Sequence, residues 1–242
     1  NTGTESVLLT ASSATATTTM YLYNPISKAF TAISTTKNRH MPSVLDNGSA
    51  AAFINDSKQM IRITLSSPYT EQVISPNSIW KRVAYSKDGT KIAAITTDVD
   101  TSIHVYSFVK KQWKKYKLYN PTFSSGVNSG GVLYADVLEW DQAGENLVYD
   151  ALSEVKLGNG SKKTYWDIGI INIWDDGTWN SGEDNIFKLF TGIPENVSVG
   201  NPSFSKNSPS IIAFDLIDNR EAETEYAIYA VNLETNKTGV VY

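Results

Sequence analysis

The chain contains no cysteine and only two histidines in its 242 residues. Without cysteine it can form no disulfide, no thiolate nucleophile and no cysteine-ligated zinc site. His40 and His104 lie far apart in the sequence, which does not favour a dedicated zinc or iron site. We therefore expect neither a metal nor a cofactor. The lack of cysteine is consistent with an exported bacterial protein.

Long apolar runs and a strong charge of one sign are also missing. No apolar run is long enough for a membrane-spanning helix, and no signal peptide is visible, so an exported protein would have lost its leader from this sequence. The net charge is −4, which gives no overall attraction to nucleic acid or anionic lipid. The basic run 110–117 is the local exception, and we interpret its lysines as guards of an edge strand. We expect no nucleic-acid partner and no membrane insertion.

Motifs for nucleophilic hydrolysis are lacking as well. The sequence has no G-x-S-x-G, and the closest string, "GVNSGG" at 126–131, has asparagine where the nucleophile would stand. Asp136, Glu139 and Asp141 lie on or near one predicted strand and could supply a glycosidase-type carboxylate pair. Most acidic residues of a β-protein are simply solvated, however, so turn and edge positions are the favoured interpretation. We expect no catalytic residues.

Two strings are weak candidates for calcium loops. The stretch "NIWDDGTWNSGE" at 172–183 places oxygen-bearing side chains at several suitable positions, but Trp174 stands where a ligand is required. We interpret it as an extended hairpin, and "TTDVDTS" at 96–102 as a turn. The sequence therefore predicts no metal site.

What the chain does contain is a repeat. The segment that begins at Gly89, "GTKIAAIT", recurs in form at Gly3, Gly48, Gly144 and, with serine in place of glycine, Ser208. The copies are separated by about 40 to 65 residues. Before four of the five copies lies a short strand with an apolar or aromatic residue four positions ahead of the anchor. Asp, Asn and Gly at the junction are typical of a tight hairpin turn.

Two further strand-like runs follow each anchor, and no segment shows a sustained helical period. The predicted third strands cover 20–24, 60–65, 103–108, 167–174 and 226–233, and the predicted fourth strands cover 29–34, 71–75, 113–119, 185–190 and 238–242. Four strands per unit is typical of a β-propeller blade, whereas a β-sandwich need not repeat one turn motif. We predict an all-β fold, a single β-propeller domain over 1–242 with about five four-stranded antiparallel blades. The first blade would lack its inner strand, and we favour a fragment of a longer propeller or multidomain protein.

The best-preserved copy, "VAYSKDGTKIAAIT", resembles the TolB-type propeller repeat, a WD-like unit. Tyr85, Ser86, Asp88 and Gly89 match its aromatic-Ser-Pro-Asp-Gly signature, and Lys87 replaces the proline. The resemblance implies a non-enzymatic interaction domain of the bacterial envelope or cell surface. TolB-like propellers also occur in prolyl-oligopeptidase-type peptidases, so a substrate-gating domain of a larger peptidase or carbohydrate-active enzyme is the alternative. A purely structural repeat of a surface protein is a third possibility.

Function in a propeller usually resides at one face of the ring and at the mouth of its channel. The predicted loops of that face are long: 119–132, 153–165, 191–201 and 217–225. We predict that a protein or glycan partner binds the residues that enter the inner strands there, which are Arg39, His40, Trp80, Lys81, Arg82, Tyr134, Asp136 and Asn201. Their mixture of aromatic and basic side chains is typical of binding hot spots. We expect the protein to be extracytoplasmic, that is periplasmic, lipoprotein-anchored or secreted.

Overall fold

A computed structural model shows the all-β fold that the sequence predicts. It describes residues 6–12, 18–34, 36–37, 42–98, 100–119, 127–173, 186–190 and 192–241. The strands form five antiparallel sheets, which are the blades of a five-bladed β-propeller. Over these ranges no helix has the length and apolar character needed to cross a membrane.

The blades follow one another along the chain, and each sheet joins consecutive strands. Blade 1 is built from β1 (Val7–Ser12), β2 (Thr18–Asn24) and β3 (Ala29–Ser34). Blade 2 is built from β4 (Ser43–Val44), β5 (Ala50–Ile54), β6 (Met60–Thr64) and β7 (Glu71–Ser75). Blade 3 is built from β8 (Trp80–Tyr85), β9 (Lys91–Thr96), β10 (Ser102–Ser107) and β11 (Gln112–Lys117). Blade 4 is built from β12 (Val127–Trp140), β13 (Asn146–Leu157), β14 (Lys162–Asn172) and β15 (Ile186–Lys188). Blade 5 is built from β16 (Val197–Phe204), β17 (Ile211–Asp218), β18 (Glu225–Asn232) and β19 (Lys237–Val240).

The repeat predicts this architecture closely. Blade 1 has three strands within the described residues, and the other blades have four. The repeat anchors Gly48, Gly89 and Gly144 have φ angles of 67°, 73° and 69°, so each turn needs a left-handed residue at the same place. Gly3 itself lies outside the described residues, whereas the strand that follows it in this copy is β1. Three lysines of the basic run, Lys114, Lys115 and Lys117, lie on β11, an edge strand of its sheet as predicted, and Lys110 and Lys111 lie in the turn before it.

The signature residues of blade 3 close its first hairpin. Ser86 Oγ accepts a hydrogen bond from the Lys91 N–H at 2.9 Å and donates to Asp88 Oδ1 at 2.5 Å. Asp88 in turn accepts the Thr90 N–H at 3.0 Å. Burial works to raise the pKa of Asp88, but the hydrogen bonds from Ser86 and Thr90 prevail and hold it below its ordinary value. The matched residues therefore build the turn, which is why the motif specifies a fold and no ligand.

Apolar side chains from consecutive blades form the core. One cluster lies at each of the four successive blade interfaces, and each contains residues from both neighbours. Between blades 3 and 4, the fully buried Trp140 donates its indole N–H to the Ala84 carbonyl at 3.0 Å. Between blades 4 and 5, Glu139 Oε2 accepts the Phe204 N–H at 3.1 Å. Polar links between inner strands thus accompany the apolar contacts that align the blades.

Blade 4 departs from the predicted boundaries. The segment 153–165 was expected to be a loop, but β13 and β14 pair as far as Lys156 and Lys162, with the turn at 158–161. Residues 127–132 likewise belong to β12, and β16 covers the last part of the predicted loop 191–201. These extensions are rich in lysine, glutamate and serine, a composition typical of loops. Ser153, Val155 and Leu157 nevertheless alternate with charged residues, as in a strand. The longer hairpin makes one wall of a cavity between blades 4 and 5.

Candidate binding site at the inner strands

The inner strands of blades 3, 4 and 5 all carry β-bulges or similar irregularities, one each in β8 and β16 and three in β12. In β8 the regular pairing is interrupted between Trp80 and Arg82, so Lys81 is the extra residue. In β12 it is interrupted between Ala135 and Leu138, around Asp136, and in β16 between Gly200 and Ser203, around Asn201. A bulge redirects a side chain away from its place in the sheet and is frequent beside functional sites. Three inner strands therefore break their pairing at three of the predicted site residues.

The first bulge contacts the second through an ion pair. Lys81 Nζ lies 2.7 Å from Asp136 Oδ1, and Arg82 Nε lies 3.8 Å from the same oxygen. The three side chains are about one third exposed. Two cations therefore flank one carboxylate, while Arg82 Nε and Asp136 Oδ1 are themselves buried.

Aromatic side chains lie beside the ion pair. Lys81 Nζ stands 5.6 Å from the centre of the Tyr134 ring, a cation–π distance. Tyr134 packs edge-to-face on Trp166 of β14 with the ring centres 5.7 Å apart. Both aromatic residues are half-buried. They supply rigid apolar surface together with a hydroxyl and an indole N–H, a combination that is typical of binding surfaces.

Asp150 of β13 connects the second bulge to the third. Its Oδ1 accepts the Val137 N–H at 2.7 Å, and its Oδ2 accepts the Asn201 N–H at 2.9 Å. It thus satisfies one backbone donor from each bulge. Asn201 has a φ of 50°, and its side-chain amide donates to Asp215 Oδ2 at 2.7 Å. Burial raises the pKa of Asp150, and the neighbouring Asp136 acts in the same direction against the two backbone hydrogen bonds.

Two cavities flank this arrangement, which we call the channel-mouth site: Lys81, Arg82, Tyr134, Asp136, Asp150, Trp166 and Asn201. One cavity, of about 460 Å³, is lined by Lys58, Lys81, Tyr134, Asp98 and Asp100 among others. The second, of about 170 Å³, is lined by acidic residues and Trp166. The larger volume lies in the range of known ligand sites. The site therefore combines exposed charge, aromatic surface and recesses of suitable size.

The remaining predicted residues lie elsewhere or are outside the described part of the chain. Trp80 is buried, with only 3% of its surface exposed; its indole donates to Ser75 Oγ at 2.9 Å and stacks on Trp113 at 5.0 Å. It packs in the apolar cluster between blades 2 and 3. Arg39 and His40 lie outside the described residues.

His104 lies away from the channel-mouth site, packed edge-to-face on Trp80 at 5.6 Å. Burial lowers its pKa below the ordinary value, against the influence of Asp100. In the described ranges, no group of three or more His, Cys, Asp or Glu residues could hold a metal ion. Most of the calcium candidate 172–183 lies outside those ranges.

Sequence reasoning did not identify Asp150 or Trp166. Asp150 is an isolated carboxylate in the apolar run "NLVYDAL" of a central strand, and such a residue needs hydrogen-bond donors when it is buried. That conflict could have singled it out. Trp166 lay at the edge of a segment predicted as a loop, so its position on β14 could not be anticipated.

Comparisons with known proteins agree with the fold. No protein-family profile matches the chain, and no curated protein matches it by sequence. Among solved structures, TolB from Acinetobacter baumannii superposes with a TM-score of 0.64 at 12% identity, covering 98% of this chain and 52% of that one. The tricorn protease gives 0.58 at 14% identity, over 99% of this chain and 26% of that one.

A structure from a study of two prolyl endopeptidases gives a TM-score of 0.54 at 13% identity, over 86% of this chain and 30% of that one. The chain spans about half the length of the TolB structure and less of the two peptidase structures. At these identities the comparisons establish architecture alone. The resemblance suggested by the repeat motif is confirmed at that level: the chain has the fold of a TolB-like β-propeller.

Proposed function

We propose that the chain is a non-enzymatic binding propeller, which recognises a protein or glycan partner at the channel-mouth site. The observation that carries the proposal is the alignment of bulges at Lys81, Asp136 and Asn201 on three neighbouring inner strands. Bulges interrupt sheet pairing, and three at one level are not needed to close a blade.

The chemistry of the site suits recognition by hydrogen bonding and stacking. Its carboxylates already have partners: Asp136 pairs with Lys81, and Asp150 accepts two backbone N–H groups. Preorganised polar groups of this kind bind without a large cost of ordering. The rings of Tyr134 and Trp166 add the flat apolar surface on which a sugar ring or an aromatic side chain can stack.

We further propose an extracytoplasmic location. The TolB-like fold supports it, as does the complete absence of cysteine. Fractionation of the native bacterial host, with detection by an antibody against this chain, tests it. Recovery with the periplasmic or membrane-associated fraction is expected, and recovery only with cytoplasmic markers would contradict the proposal.

A second candidate is a propeller domain of a larger peptidase or carbohydrate-active enzyme. Similarity to the tricorn protease and to the prolyl endopeptidase favours it. Each superposition includes most of this chain but under a third of the peptidase structure. In that case the channel-mouth site would contact substrate on its way to another domain. The full gene separates the candidates, since only this one requires a hydrolase domain beside the propeller.

A defined ligand screen tests the binding proposal. The chain is applied to an array of bacterial surface glycans and to a displayed random-peptide library. The affinity of each hit is then measured for the Tyr134→Ala variant. The control is Phe187→Ala, which removes an exposed aromatic side chain from β15. We expect Tyr134→Ala to weaken binding about tenfold or more and Phe187→Ala to leave it unchanged. No binder in either library, or binders insensitive to Tyr134, would refute the proposal.

A further inference from the structure

A third and larger cavity, of about 650 Å³, lies between blades 4 and 5 and outside the channel-mouth site. Its walls are the extended β13–β14 hairpin and the segment 192–198 that leads into β16. Its volume falls within the range of sites that enclose small molecules. Nothing in the proposed function of the chain uses it.

Apolar side chains make up about half of the cavity wall. Val155 and Leu157 contribute from β13, and Ile193, Pro194 and Val197 contribute from the opposite side. These side chains can pack against the hydrocarbon part of a ligand, because burying apolar surface contributes roughly 25 cal/mol per Å².

One end of the cavity holds a buried ammonium group. The Lys188 side chain is only 10% exposed and forms an ion pair with Asp167, which is 2% exposed. Lys188 Nζ also donates to the Tyr165 hydroxyl at 3.1 Å and lies 5.1 Å from the centre of that ring. A buried ion pair is rarely a gain in stability over apolar residues, so its presence beside a cavity calls for another explanation.

Among the residues that the structure describes, fewer acceptors contact Lys188 than it has donors. An ammonium group has three N–H donors, and Asp167 and Tyr165 account for two of them. Lys188 lines the cavity, whereas Asp167 does not. The described lining carries two cations, Lys163 and Lys188, and one acid, Glu195, while Asp167 lies behind Lys188. Lys163 and Glu195 pair with each other at a more exposed position.

We propose that this cavity binds a small, mainly apolar carboxylate, whose charged group is held by Lys188 while its hydrocarbon part packs on Val155, Leu157 and Ile193. The Tyr165 hydroxyl orients the ammonium group from the other side. The site is separate from the channel-mouth site, so either can fail without the other.

The test uses 1-naphthoate as the probe and its uncharged analogue 1-naphthalenemethanol for comparison. Binding is followed by NMR of isoleucine methyl groups, with Ile193 as the reporter in the cavity and Ile217 as an exposed reference. We expect saturable shifts at Ile193 and an affinity for naphthoate about tenfold above that for the alcohol.

The decisive variant is the double substitution Lys188→Met with Asp167→Asn, because loss of the lysine alone would leave a buried carboxylate without its partner. It should lower the naphthoate affinity about tenfold and leave the affinity for the alcohol unchanged. The control Lys162→Met changes the net charge on the same hairpin but lies outside the cavity, where Lys162 pairs with Glu154 at 2.8 Å. It should bind naphthoate as the wild type does. Absence of saturable binding by the wild type, equal affinity for both probes, or equal affinity of the double variant would overturn the proposal.

Discussion

At the scale of single residues, the close fit of side chains across neighbouring strands decides which substitutions blade 4 tolerates. Gly169 of β14 is paired with Tyr149 of β13, and the tyrosine ring covers the glycine. A Cβ atom built at Gly169 would lie 2.4 Å from Tyr149 Cζ, far inside van der Waals contact. The ring cannot move easily, because Tyr149 is 2% exposed.

We therefore expect Gly169→Ala to lower the free energy of unfolding by about 1 to 3 kcal/mol, the usual cost of overpacking a core. Gly239→Ala is the matched control, since it lies on strand β19 and a Cβ there meets no atom within 4 Å. Urea denaturation of both variants measures the difference. Equal stabilities of the two variants would show that the Tyr149 ring can be displaced at little cost.

At the scale of strands and blades, the repeat motif predicts elements well and interruptions poorly. The predicted fourth strands 29–34 and 71–75 coincide with β3 and β7. The bulges at Lys81, Asp136 and Asn201 were invisible because one extra residue in a strand leaves no mark on composition or turn chemistry. Lys81 and Asp136 were predicted as site residues, but their 2.7 Å contact depends on how two blades pack, and sequence periodicity does not report packing.

Asp150 is the residue on which two of these bulges depend. Asp150→Ala should leave the N–H groups of Val137 and Asn201 without acceptors and lower the free energy of unfolding by about 2 to 4 kcal/mol. Asp150→Asn keeps one acceptor oxygen and should lose about half as much. Chemical denaturation gives the energies, and amide exchange at the two N–H groups reports the bulges directly. Wild-type stability of Asp150→Ala would contradict the assignment.

At the scale of the whole molecule, the five blades form a scaffold whose loop face carries three cavities and the channel-mouth site. Fold comparison alone leaves the function open, since the same architecture occurs in TolB and in the tricorn protease. We propose that a partner binds where the inner strands of blades 3 to 5 break their pairing, and not at the outer strands.

The most direct test is hydrogen–deuterium exchange of the chain with and without the strongest ligand from the glycan and peptide screens. We expect added protection at the three bulge regions, 81–82, 134–137 and 198–201, while the outer strand 112–117 exchanges as before. Protection confined to outer strands, with the three bulge regions unchanged, would contradict it.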